Sequence, residues 1–397
     1  MKKILEYLAL AVIIAMPAGC KKENTIKKST AEGTDWASVE PAEWVKDGLL
    51  DSRGKVDTLD FTYDFIKGKD VPQGPCEALK DRPVHVVYFI PNLSGVEDMP
   101  ILFVMHGAER VGTAQYNAWR PFAQKYGFIL VIPQFLTKQE NLDILPSWRK
   151  PMYAGQYWLT NDYQFGSVST ASNSGKLRPR DKWAYNVIEL LFEYFRHELD
   201  NTSKGYYIYG HSAGGQFVNR MVMAYPEARI IKACAANPSS WAWPSVDGVI
   251  KNLDSQEICN EYRNGTKTYT SGWGYSIKEL YKNEADLAKP FKTKLYVQIG
   301  TKDLETESLD QQTAANAQGA RRYFRALNFY ATCMEVAERA GIKCNYELAE
   351  VEGASHSTYH MAYGKPNYST SKVSFDQLGP NAAFTLLFKG VLTERSK

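Results

Sequence analysis

The chain has 397 residues, of which 44% are hydrophobic and 23% charged, the balance of an ordinary soluble globular protein with enough length for a sizeable core. Its formal net charge is +3, and the first thirty residues alone contribute +4 through Lys2, Lys3, Lys21, Lys22, Lys27 and Lys28 against Glu6 and Glu23. The remainder is close to neutral, which excludes the electrostatic footprint of a nucleic-acid or anionic-membrane binder. The cluster KLRPRDK at residues 176–182 reads as a solvated loop.

The chain opens with two lysines, an apolar run ILEYLALAVIIAM and the small residues PAGC, the order of a secretory signal. The run is shorter than the roughly 20 residues a membrane span needs. A cysteine directly after small residues resembles a bacterial lipobox, although Glu6 interrupts the run and Pro17 stands where leucine is usual. That resemblance implies cleavage before Cys20, lipidation of its thiol and a cell-envelope location. Lys21 at the next position points to the outer membrane, with the body periplasmic or at the surface. After the cysteine, KKENTIKKSTAEGTDWAS is polar and Lys/Ser/Thr-rich with almost nothing to bury, so a flexible tether is expected over residues 20–50. The folded domain is then expected over residues 51–397.

From about residue 55, strand-like and helix-like segments alternate. VHVVYFI (84–90) and ILFVMHG (101–107) flank the loop PNLSGVEDMP, and the spacing suggests an antiparallel edge pair. A helical piece near 116–126 and the strand FILVIPQF (128–135) follow. After an aromatic stretch comes WAYNVIELLFEYFRHEL (183–199), with Val187, Leu190, Leu191 and Phe195 forming a helical stripe. The runs IIKACAAN and KLYVQIG, the helix ALNFYATCMEVAERA, the strand NYELAEV and the helix AAFTLLFKGVL complete the series. Such alternation predicts an α/β fold, a mostly parallel central sheet with helices on both faces. Residues 241–290 break the rhythm and read as a lid-like insertion at the carboxyl ends of the strands, where open α/β sheets bind ligands.

Six cysteines are present: Cys20, Cys76, Cys234, Cys259, Cys333 and Cys344. With Cys20 lipidated an odd thiol remains, and Cys76 and Cys259, in polar surroundings, are the candidates for a disulfide in an exported chain. Neither C-x-x-C nor H-E-x-x-H occurs, so no metal or cofactor is called for.

The stretch YYIYGHSAGGQF (206–217) carries the chemistry. An aromatic strand runs into a helix whose apolar positions Phe217, Val218, Met221 and Val222 recur at helical spacing, so Ser212 lies on the turn between them. Gly210 and Gly214 keep that turn tight, and the helix N-terminus faces whatever the hydroxyl attacks. A nucleophile there requires an acid and then a histidine downstream. Only His356 and His360 follow Ser212, both in GASHSTYHM beyond a predicted strand. His356, just past the strand end, is the candidate base and His360 the reserve. Asp303, at the end of LYVQIGTKD, is the candidate acid, with Glu305 and Asp310 as alternatives in the same loop. The oxyanion hole should combine the amides of Ala213 and of Ala108 in VMHGAERVG.

On these motifs the chain resembles an α/β-hydrolase, and within that fold it is similar to bacterial esterases of the poly(3-hydroxybutyrate) depolymerase-like and feruloyl-esterase-like kinds. GHSAGG, AANPSSW and AQGARRYFRALNFY carry the likeness over about residues 84–392. The resemblance implies Ser212 as nucleophile, Asp303 as acid and His356 as base in a serine carboxylic-ester hydrolase. Trp148, Tyr153, Tyr157, Trp158, Tyr163 and Phe165, with Trp241, Trp243, Trp273 and Tyr275, either form a rim that stacks on a sugar or aromatic acyl group or pack long loops onto the sheet. Trp158, Trp241 and Trp243 are the substrate-binding candidates, for a small-molecule or polymer-linked ester. A serine peptidase and a non-catalytic binding lipoprotein remain alternatives.

Overall fold

The computed structural model describes residues 47–61, 76–80, 82–136, 158–250, 268–370 and 373–395. Cys20, the signal and nearly all of the tether, Cys259, and Trp148, Tyr153 and Tyr157 lie outside them.

Ten strands occur among the described residues: β1 (Val56–Phe61), β2 (Val84–Phe89), β3 (Ile101–Met105), β4 (Ile129–Gln134), β5 (Tyr206–His211), β6 (Ile230–Ala236), β7 (Val249–Ile250), β8 (Tyr269–Thr270), β9 (Lys294–Gly300) and β10 (Glu347–Val351). Eight make one sheet in the order β1-β2-β4-β3-β5-β6-β9-β10, and β7 pairs with β8 apart from it. The pairs β1/β2 and β2/β4 are antiparallel and the rest of the large sheet is parallel, which is the expected mostly parallel sheet. The expected direct pairing of residues 84–90 with 101–107 does not occur, because β4 lies between them, antiparallel to β2 and parallel to β3. Every residue of β4 is buried. A strand that apolar on both faces belongs inside the sheet, and the ten-residue loop after β2 is long enough for β3 to step one place further along.

Six longer helices cover the sheet: α1 (Thr113–Tyr126), α2 (Tyr185–Glu198), α3 (Ala213–Ala224), α4 (Arg322–Ala340), α5 (Thr358–Tyr363) and α6 (Ala383–Phe388). Side chains of β3 alternate between two cores. Ile101, Phe103 and Met105 pack with α2, α3 and α4, whereas Leu102 and Val104 pack with α1, α5 and α6. The sheet is therefore closed on both faces. α2, which showed an apolar stripe in the sequence, is buried nearly all round; its Glu189 accepts from Tyr206 Oη at 2.6 Å and from Arg229 Nε at 2.8 Å. No helix among the described residues is long and apolar enough to cross a membrane.

Residues 241–250 and 268–290 of the insertion are described, and they are packed down. Arg220 of α3 donates through Nε to Gly274 O at 2.7 Å, and Trp241 stacks on Phe329 of α4 with centroids 4.5 Å apart.

Candidate active site

The parallel strands β5, β6 and β9 end on one edge of the sheet, and the site is assembled there. Ser212 joins β5 to α3 with φ 58° and ψ −117°, a strained conformation for a residue with a side chain. Its amide donates to Ala236 O at the end of β6 (2.9 Å), and its carbonyl accepts from Gln216 of α3 (3.0 Å). The turn closes only on glycines. A Cβ on Gly210 would stand 2.2 Å from Gly214 O, and one on Gly214 would stand 2.3 Å from Met105 O and 2.7 Å from His106 O. That contact sets the exit of β3 directly beside the start of α3.

His356 Nε2 is 3.0 Å from Ser212 Oγ, and His356 Nδ1 is 2.7 Å from Asp303 Oδ2. The carboxylate takes Nδ1–H, which leaves Nε2 as the acceptor for the serine hydroxyl. Backbone bonds between the exits of β9 and β10 hold acid and base in register: Thr301 N to Val351 O at 3.1 Å and Lys302 N to Ala354 O at 2.9 Å. Gly300 permits this approach, since its Cβ would fall 2.4 Å from Ala354 O. Asp303 is completely buried, whereas His356 and Ser212 are partly exposed, so the arrangement is open to solvent at the serine and histidine and closed at the acid.

The other histidine and acid candidates are elsewhere. His360 Nδ1 lies 3.4 Å from Ser355 N and Oγ, one turn into α5. Asp310 Oδ2 accepts from Ser240 Oγ at 3.0 Å and Tyr275 Oη at 2.9 Å. Glu305 is exposed.

At the β3 exit, Phe135 N–H donates to His106 Nε2 at 2.9 Å, which puts the ring proton on Nδ1, 2.9 Å from Gly107 O. Burial, with Arg110 adding to it, pushes His106 down to about 3, so the ring is neutral. Tyr163 stacks on that ring (4.3 Å between centroids) and donates to His106 O at 2.8 Å. Gly107 O also accepts Arg110 N at 3.2 Å. Because the peptide is trans, a carbonyl turned inward turns the Ala108 N–H outward, and Ala108 is exposed. Ala213 is the first residue of α3, so its N–H has no intrahelical acceptor. The Ala213 amide, next to Ser212, is thus left free to meet negative charge there.

The tryptophans are the correction. Trp158, Trp241 and Trp243 are buried to within 1%, and Trp273 likewise. Trp158 donates to Pro83 O at 2.9 Å under the guanidinium of Arg82. Trp241 and Trp243 pack on Phe329. They anchor loops to the core and offer no free face to a ligand. Cys76 is a free, buried thiol, pushed up to about 12 by burial.

Three contributors escaped the sequence analysis. His211, before the serine, lies against His356. Asn237, with φ 48°, accepts from Gly300 N at 3.0 Å and donates to Ser355 O at 3.4 Å, stitching three loops together. Arg322 Nη1 is 3.3 Å from Asp303 Oδ1. An asparagine, a residue that tolerates positive φ, just after the apolar run of β6 and paired arginines at a helix start were the traces of the last two in the sequence. Among the described residues no group of three or more His, Cys, Asp or Glu side chains could hold a metal ion.

No protein-family model and no curated protein matches the chain. Solved structures do. The chain is similar to a poly(aspartic acid) hydrolase from Sphingomonas sp. KT-1, with a TM-score of 0.55 and 27% identity over 70% of this chain and 89% of that one. It is also similar to a poly(3-hydroxybutyrate) depolymerase from Bordetella parapertussis, with a TM-score of 0.57 and 23% identity over 77% of this chain and 86% of that one.

Proposed function

From the α/β-hydrolase fold of this chain, we propose that it is a serine hydrolase that cleaves carboxylic esters through an acyl-enzyme on Ser212. The observation that carries the reading is the unbroken series Ser212 Oγ, His356 and Asp303, with contacts of 3.0 Å and 2.7 Å, on a strained strand-to-helix turn.

Each step follows from those contacts. His356 Nε2 takes the hydroxyl proton as Oγ attacks the ester carbonyl, and the imidazolium that forms is held by Asp303. The carbonyl oxygen becomes an oxyanion facing the Ala108 and Ala213 amides. Collapse of the tetrahedral adduct expels the alcohol, which takes the proton from His356. Water then gives a proton to the same nitrogen and attacks the acyl carbonyl, and the acid leaves as Ser212 regains its hydrogen. No step calls for a metal or cofactor.

Acyl and alcohol groups that are carbohydrate-linked, aromatic or otherwise scavenged suit a tethered exported enzyme, and the signal-like start and Cys20 support lipid anchoring at the cell envelope. A second reading, hydrolysis of amides by the same residues, is favoured by the likeness to the poly(aspartic acid) hydrolase.

The test is turnover of p-nitrophenyl acetate, its longer acyl homologues and the matching p-nitroanilides by the full chain and by Ser212→Ala. Ester turnover that vanishes in the variant supports the reading, anilide turnover that vanishes supports the second one, and Ser212-independent turnover sinks both.

A further inference from the structure

Arg322 is the first residue of α4, a helix of 19 residues whose preceding Arg321 is extended at φ −141°. A cation at a helix N-terminus opposes the helix dipole, and this one is also completely buried, where an unpaired charge is costly. The fold accepts both penalties to point the guanidinium at the loop behind the site. Nη1 donates to Asp303 Oδ1 and Glu305 O, both at 3.3 Å, and Nη2 donates to Glu307 O at 2.7 Å. The two carbonyls alone would be satisfied by a neutral amide. The carboxylate would not, since Asp303 is equally buried and has the half-exposed His356 on its other oxygen.

We propose that Arg322 is a positioning residue of the hydrolytic site: it compensates the buried Asp303 carboxylate through Oδ1 and so fixes Oδ2 on Nδ1 of His356. The inference rests on the Ser212 hydrolase reading. The groups set against His356 are Ser212 and Asp303 by hydrogen bond and the His211 ring from the end of β5, with Arg322 behind Asp303; His360 follows on α5, and the exposed Lys302 and Glu305 share the acid's loop. Arg322 is the one of these that donates to Oδ1 of the acid, through Nη1, while its remaining bonds tie the guanidinium to the backbone of the same loop.

Two effects follow. Without Arg322 the carboxylate is free to turn, and misplacement of a catalytic group costs roughly 10- to 100-fold in rate. The cation also disfavours a second positive charge on His356, so its removal lets His356 keep its proton to higher pH. In Arg322→Gln, kcat for p-nitrophenyl acetate should fall by that factor with KM nearly unchanged, since a fully buried residue does not reach substrate, and the acid limb of kcat/KM should move to higher pH. Arg322→Lys keeps the charge without the fork and should hold the limb near its original position while recovering only part of kcat. A second readout needs no turnover: the far-downfield proton resonance of His356 Nδ1–H should weaken or disappear in both variants. A merely structural role would lower activity without moving the limb or the resonance. Either that pattern, or Ser212-dependent turnover indifferent to Arg322, overturns the proposal. If Arg322→Gln does not fold, the resonance of Arg322→Lys decides: its loss supports the proposal, and an unchanged resonance overturns it.

Discussion

His211 lies with its ring against that of His356, the centroids 4.6 Å apart and the planes tilted by 41°. One histidine is half-exposed and bonded to the serine, while the other is buried with its Nε2 3.4 Å from Asn237 Nδ2. Burial pushes His211 well below the usual histidine range, and His356, Arg322 and His360 push the same way. Burial likewise takes His106 down to about 3. Both rings stay neutral in the fold as the pH drops, whereas in the unfolded chain each takes a proton near the ordinary value of 6.5. Their contribution to stability is therefore whole above about pH 6.5 and is lost as the pH falls below it. Below the unfolded value each ring that stays neutral in the fold adds up to about 1.4 kcal/mol per pH unit to the fall in unfolding free energy, His106 over the range down to about 3. Urea unfolding at several pH values checks this: His211→Phe should lose one proton's worth of the slope, and an unchanged slope would show His211 to be charged in the fold.

The turn around Ser212 gives a sharper mechanical expectation. A methyl group on Gly214 would meet two backbone oxygens, Met105 O at 2.3 Å and His106 O at 2.7 Å, neither of which can swing aside as a side chain could. Gly214→Ala must push α3 off the end of β3, at a cost of about 1–3 kcal/mol or more. The same shift separates the Ala213 amide from that of Ala108, so activity should fall more than stability. At Gly341 nothing lies within 4 Å of the added carbon and only its φ of 64° opposes a side chain, so Gly341→Ala serves as the mild comparison. Thermal unfolding and ester turnover of the two variants decide, and equal behaviour would contradict the close approach.

Ser212, Asp303 and His356 were legible because the fold needs them at strand ends, and strand ends are visible as an apolar run meeting a glycine. The order of acid and histidine then left few alternatives. Neighbourhood in the sheet was not legible: two strands adjacent in sequence looked like a pair, and the apolar run Ile129–Pro133 of β4, buried on both faces, explains why it lies between them. Exposure was misread for the aromatics, because a tryptophan that stacks on a ligand and one that pins a loop to the core have the same local sequence. Arg322 was hidden for a similar reason. A charged residue opening a helix reads as solvated surface until its distance to Asp303 is known.

The buried tryptophans carry their own expectation. Trp241 is locked between Phe329 and the Gln318 side chain, which accepts from Trp241 N and donates to Trp241 O, both at 2.8 Å. Trp241→Ala should destabilise the fold by about 3–5 kcal/mol, with Trp241→Phe losing much less. KM measured well below the unfolding temperature should change little in Trp241→Phe. A large rise in KM without loss of stability would return this residue to the substrate site.

Activation of Ser212 by His356 is the central claim, and labelling by a fluorophosphonate probe tests it most directly because it needs no knowledge of the natural substrate. The full chain should be modified once, with the adduct on the peptide that contains Ser212, and labelling should be absent in Ser212→Ala and slowed at least about 10³-fold in His356→Gln. Wild-type protein that resists the probe, or an adduct on any other residue, would contradict the account.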